Sequence, residues 1–258
     1  MLAGLGMKSF LIVCPLVFFA GLVDAIAGGG GLISLPAYLI AGLPSHEAIA
    51  TNKLSSAFGT ALTTARFIKQ RLVDLKLAVV TVIAAVIGSS AGARLSLSSD
   101  ERILRIMLVV ILPITAAIVL NQKLFRREEA GDEGIRFDRR TVTVAVLSAL
   151  IIGAYDGFYG PGTGTFLIIA FTVFARLPVS RANAQAKVIN LTTNMTSLAV
   201  YLMSGKVVIL LGLAGALCNM AGNYIGSGLV LSKGTRIVRP IMVAVLAILL
   251  VKVISELA

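Results

Sequence analysis

The chain has no tryptophan, one histidine and two cysteines among its 258 residues, and only 14% of it is charged. Each shortage excludes something. A lone histidine, His46, cannot build a metal centre, which needs several His, Cys or carboxylate ligands. Cys14 and Cys218 stand in separate apolar runs without CxxC spacing, so they read as small packing residues rather than a disulfide framework. No Gly-Lys-Ser/Thr closes the glycine-rich stretch GAYDGFYGPGTGT, which rules against a nucleotide phosphate loop. No cofactor is implied. Acids are few, 12 against 23 Lys and Arg, for a net charge of +11. In a soluble chain that excess would suggest nucleic acid. Here the bases cluster in short loops between apolar runs, the positive-inside pattern of membrane insertion, and nucleic acid is excluded as a partner.

What the chain does have is apolar length: 57% of its residues are hydrophobic, and the mean hydropathy is +0.95. A bilayer core takes roughly 20 helical residues, and only helices or closed barrels satisfy the backbone there. The runs lack period-2 alternation, so the expected fold is all-α, a polytopic helical membrane protein with 8–10 membrane segments, multi-pass in the cell (inner) membrane. Apolar segments fall at Ser9 to Ile26, Leu32 to Leu43, Ala50 to Ile68, Leu75 to Leu95 and Ile103 to Leu120. A second set follows at Thr141 to Phe158, Thr165 to Ala175, Ala182 to Met203, Val207 to Leu231 and Ile237 to Ile254. The domain division expected is a first transmembrane repeat (1–120), a polar cytoplasmic linker (121–140) and a second transmembrane repeat (141–258). The N-terminal run resembles a signal peptide, but its counterpart from Val142 to Ile152 sits mid-chain, so the first is expected to be a retained helix.

The two halves are one unit written twice. GLVDAIAGGGGLISLPAYLIAGLPSHEAIATNK, from Gly21, returns as GAYDGFYGPGTGTFLIIAFTVFARLPVSRANAQAK, from Gly153. Asp24 pairs with Asp156 (156 − 24 = 132), and Gly28 and Gly30 pair with Gly160 and Gly162 at the same shift. Beyond the glycines Pro44 pairs with Pro178 and Lys53 with Lys187 (187 − 53 = 134). The second segment of each set is short and follows a glycine cluster. Such interrupted segments at matching places are the best sequence pointer to a transporter binding site. The basic loop moves by one position between repeats, from Lys69, Arg71 and Lys76 after the third segment to Lys233, Arg236 and Arg239 after the ninth. That displacement predicts inverted repeats; if the short segments re-entered, four crossings each would make the repeats parallel.

The polar residues inside these runs are the candidates for chemistry. A charge at mid-bilayer costs about 2.5–3.5 kcal/mol and needs a partner or a wet cavity. Asp24 and Asp156, each just before a glycine break, are expected to titrate a coupling proton, to support the break, or to cap its amides. Lys53 opens the third segment beside Asn52, Ser55 and Ser56, and Lys187 opens the eighth near Asn190 and Asn194. These two read as cations facing one anion cavity, the alternative being snorkelling to the interface. Backbone amides at Gly29, Gly30 and Gly31, and at Gly162, Thr163 and Gly164, would add positive potential where the half-helices start. Gly88-Ser89-Ser90-Ala91-Gly92 matches GxSxG. Its counterpart Gly222-Asn223-Tyr224-Ile225-Gly226 loses the serine, so small residues four apart point to helix contact.

The doubled pattern, and above all Asp-x-x-x-Gly-Gly-Gly-Gly and Thr-Asn-Lys in the first half, resembles the TauE/SafE family from about Ser9 to Ile254. In the second half Thr-Asn-Lys becomes Gln185-Ala186-Lys187, so the two halves of any site are chemically unequal. The resemblance implies a bacterial-type carrier, not an enzyme, exporting sulfur-containing anions such as sulfite or sulfonates. The residues by themselves reach only a carrier for a small anion. The implied partners are that anion, with a proton as candidate coupling ion, and the lipid bilayer; homo-oligomerisation is left open. The rival readings are a passive anion channel, a non-transporting scaffold and an intramembrane serine hydrolase built on Ser90 with His46.

Overall fold

A computed structural model describes residues 6–104, 106–107, 110 and 137–233. Among these the chain is helical and contains no strand. The helices are α1 (Met7–Ala27), α2 (Gly31–Ile40), α3 (Ser45–Lys69), α4 (Leu75–Ser98), α5 (Arg139–Phe158), α6 (Thr163–Ile169), α7 (Val179–Met203) and α8 (Ile209–Lys233). A turn of π-helix, Ala170–Phe174, continues α6. Of the fifth segment in each set, the first is described only near its start and the second, Ile237 to Ile254, lies outside the described residues, as does most of the 121–140 linker.

Local chemistry sets the helix ends. Asp74 and Asp138 cap α4 and α5, accepting from the amides of Leu77 (3.0 Å) and Thr141 (2.7 Å). Pro44 and Pro178 stand at the equivalent starts of α3 and α7. α1, α4, α5 and α8 are long and apolar enough to span a bilayer. Their outward faces carry Leu11, Phe19, Val79, Ile83, Ile87, Leu147, Ile151 and Leu217, all well exposed. Apolar rows of that extent are what lipid covers. α3 and α7 are more polar and hold their polar residues inward, so they form the centre. The molecule is a multi-pass helical membrane protein.

The short helices turn back. Ser9 Oγ near the start of α1 donates to the Ala41 carbonyl just past α2 (3.2 Å). In the second half Arg140 Nε donates to the Phe174 carbonyl (2.9 Å), joining the start of α5 to the end of the α6 segment. Each pair is therefore a hairpin whose limbs end on the side where it began, not a crossing followed by a separate short loop. α3 and α4 also run against each other, His46 Nε2 at the start of α3 lying 2.9 Å from the Ser96 carbonyl at the end of α4.

Glycines knit the two halves together. Cβ atoms on Gly222 and Gly226 of α8 would overlap the main chain of α1 at Phe18 and approach it closely at Leu22. Gly88 and Gly92 of α4 meet α5 in the same way at Leu150 and Ala154. Both series advance four residues on each helix together, so α1 runs parallel to α8 and α4 parallel to α5. The glycines of the GxSxG match thus make helix contacts, as their recurrence predicts. His46 is bonded to the Ser96 carbonyl, six residues along α4 from Ser90.

Candidate functional site

α1 and α5 each carry a carboxylate one turn before their terminal glycine, on a stretch that the lysines of the opposite repeat can reach. α3 and α7 begin earlier than the apolar pattern suggests, at Ser45 and Val179. Lys53 and Lys187 therefore do not open their helices but sit two turns in, at matching depth (53 − 45 = 187 − 179 = 8). Neither snorkels: each is 1% exposed.

The charges pair across the repeats. Lys187 Nζ donates to Asp24 Oδ2 at 2.7 Å, and Lys53 Nζ lies 3.0 Å from Asp156 Oδ2. The second contact is too oblique for a well-formed hydrogen bond, so Oδ2 is held there mainly by charge. Asp156 Oδ1 takes the hydroxyl of Thr163 (2.7 Å), the first residue of α6. The carboxylates thus bond to lysines and a hydroxyl rather than capping turn amides. The four charges sum to zero, as burial demands.

The breaks themselves meet at the centre. Gly28 (φ +75°) lies so close to Gly164 that a Cβ on either would collide with the other's backbone. Gly160 (φ +105°) sits over the second ion pair, where an added Cβ would come 2.9 Å from Lys53 Nζ. Gly162 is also left-handed, at φ +86°. The last carbonyls of α1 would otherwise be orphans. Asn183 Nδ2 donates to Ala25 and Ile26 (both 3.2 Å), and Thr165 Oγ1 donates to Ala27 (3.0 Å).

Between the ion pairs lies a cavity of about 20 Å³, enough for a water molecule. Asp24, Lys53 and Asp156 face it, with Gly31, Asn52, Ser56, Thr163, Gly164, Asn190 and Asn194. Five expected site residues are elsewhere. Lys187 backs Asp24 without lining the cavity, and Ser55 Oγ donates to the Asn52 carbonyl (3.0 Å). Gly30 packs on the Asp24 side chain, while Gly29 accepts the Leu32 amide within the turn. Gly162 makes the left-handed step into α6. Three lining residues were missing from the expected set: Gly28, Gly160 and Thr60. Helix periodicity could have found Thr60, because Lys53, Ser56 and Thr60 repeat as Lys187, Asn190 and Asn194 at a constant shift of 134.

The close glycine contact makes a direct prediction. Gly28→Ala and Gly164→Ala should each lower the melting temperature in detergent by several degrees. Gly28→Ala carries a left-handed backbone cost of about 1–2 kcal/mol besides the collision. Gly42→Ala, also at positive φ (+94°) but with nothing near its Cβ, is the control that isolates the backbone term.

The profile of the family described as Sulfite exporter TauE/SafE matches residues 13–253. The protein named "Probable membrane transporter protein YfcA" of Escherichia coli strain K12 is 33% identical over 258 residues, covering 96% of this chain and 94% of its own. A "Probable membrane transporter protein" of Haemophilus influenzae is 32% identical over 253 residues, covering 98% and 97%. "Probable membrane transporter protein YunE" of Bacillus subtilis is 24% identical over 270 residues, covering 96% and 98%. No solved structure matches the chain. The family and its relatives are membrane transporters, not enzymes, which disposes of the serine hydrolase reading. The chain belongs to the TauE/SafE sulfite exporter family.

Proposed function

We propose that the protein is a secondary transporter exporting small sulfur-containing or organic anions, such as sulfite or sulfonates, by alternating access around the central cavity. The observation that carries this reading is the crossed ion pairs, which put a buried cation beside a water-sized polar cavity. The anion takes the place of the Asp156 carboxylate on Lys53, assisted by amides at the start of α2 and by Asn52, Ser56, Asn190 and Asn194. Because Asp24 and Asp156 both border the cavity, an incoming anion meets like charge there. Protonation of a carboxylate relieves that repulsion, which makes a proton the candidate coupling ion. The cavity is too small for even a compact oxyanion, so binding requires its walls to part. A passive channel finds less support, since the family and its relatives are described as exporters and transporters.

Helix directions support inverted repeats, 1–120 and 141–258, joined by a cytoplasmic linker at 121–140. α1 opposes α4 through the α1–α2 hairpin and the α3–α4 pair, and α4 runs with α5, so α1 and α5 point in opposite directions. Opposite directions for α1 and α5 are what inverted repeats require; most of the fifth segment lies outside the described residues. Lys69, Arg71, Arg139 and Arg140 then share the cytoplasmic side. The localisation that fits is the inner membrane.

Purified protein screened by thermal shift against sulfite, sulfate, thiosulfate, sulfoacetate and simple carboxylates should melt higher with at least one sulfur anion. A melting temperature unmoved by every anion would remove the central site. Cysteine labelling in intact cells, after replacement of Cys14 and Cys218, should reach position 206 from outside but not position 233.

A further inference from the structure

Cys14 and Cys218 lie 204 residues apart and in different repeats (218 − 14 = 204), yet the fold brings them together. The parallel seam of α1 and α8 sets Phe18 against Gly222 and Leu22 against Gly226. Both contacts share the offset of 204, and one turn earlier that offset places Cys14 opposite Cys218. The glycines draw the helices close enough for facing side chains to touch, and the two thiols are direct neighbours. Tyr38 of α2 approaches α8 one turn earlier still, its hydroxyl lying where a Cβ on Gly215 would stand. Both cysteines are free and half-buried, neither sealed in the core nor fully exposed. The matching seam of α4 and α5 has Ala84 and Val146 at the equivalent positions, so only one seam carries thiols.

We infer that Cys14 and Cys218 are a facing pair of thiols that an oxidant closes to an intramolecular disulfide, tying the first repeat to the second. Two thiols lose two protons and pass two electrons to an oxidant, either molecular oxygen under copper catalysis or a small-molecule disulfide that is reduced to two thiols. Facing positions on closely packed parallel helices are compatible with the Cα separation a disulfide needs. The pair sits in the half of the seam nearer Ser9 and Lys206, away from the basic loops. On the orientation proposed above that is the outer side, where disulfides persist.

The test uses the full chain in detergent, oxidised with copper-phenanthroline, denatured, and counted for thiols with a maleimide-polyethylene glycol reagent. Untreated protein should shift by two adducts, and oxidised protein by none while remaining monomeric on a non-reducing gel. Reductant should restore both adducts. Cys14→Ser should keep its single remaining thiol through the same treatment. The closed form should melt about 5–15 °C higher, as expected when a cross-link closes so long a loop. Two reactive thiols remaining after oxidation, or their loss only into intermolecular dimers, would overturn the inference. No anion enters the assay, so its failure is distinct from failure of the transport reading.

Discussion

Asp156→Asn should destabilise the protein by about 3–5 kcal/mol, and the double variant Asp156→Asn/Lys53→Gln should recover much of that loss. Removing one partner of a buried ion pair leaves an uncompensated charge, whereas removing both leaves polar groups that are far cheaper to bury. Lys53 and Asp156 are each only 2% exposed at the side chain, so bulk solvent does not reach Lys53 and only the water-sized cavity offers it a substitute partner. Asp24→Asn should cost at least as much as Asp156→Asn, because the lysine it strands, Lys187, is 1% exposed and does not line the cavity, whereas Lys53 does. The readout is thermal melting in detergent for both single variants of each pair and both doubles. Additive losses in the double variants would show that the pairs do not act as pairs.

Lys53→Gln should weaken binding of the best anion roughly tenfold to a hundredfold or more, the worth of a charge-assisted hydrogen bond of about 1.5–3 kcal/mol. Lys187→Gln should weaken it less. Lys53 faces the cavity, while Lys187 reaches it only through Asp24. An effect of Lys187→Gln should therefore follow the charge of Asp24, and Asp24→Asn/Lys187→Gln should bind nearly as the wild type does. Dissociation constants measured at fixed salt decide this. Equal constants for Lys53→Gln and wild type would remove the lysine from the anion site.

Much of this arrangement is legible in the sequence because membrane helices write themselves as apolar runs and because the unit occurs twice. The repeat alone singles out Asp24 and Asp156, Lys53 and Lys187, and both glycine breaks. Pairing was not legible. Nothing in the one-dimensional pattern says that Asp24 answers Lys187 rather than Lys53, since that choice is made by how two copies pack. Helix starts were missed at Ser45 and Val179 because the first two turns of α3 and α7 are polar, and hydropathy cannot see a polar helix whose polar face points inward. The hairpin of α1 and α2 was hidden for a similar reason. A run of glycines announces a break but not the direction in which the chain resumes. Cys14 and Cys218 looked unrelated because only the seam register brings them together.

The crossed pairing also bears on how the protein is made. When the first repeat enters the membrane, Lys53 and Asp24 lack the partners they hold in the finished fold, since each of those lies more than a hundred positions downstream. At about 2.5–3.5 kcal/mol for each intramembrane charge, the half-made protein should carry a penalty that the arrival of Asp156 and Lys187 relieves. A chain stopped after the first repeat should therefore be a substrate for membrane quality control. The second repeat, supplied separately, should rescue it by completing both pairs.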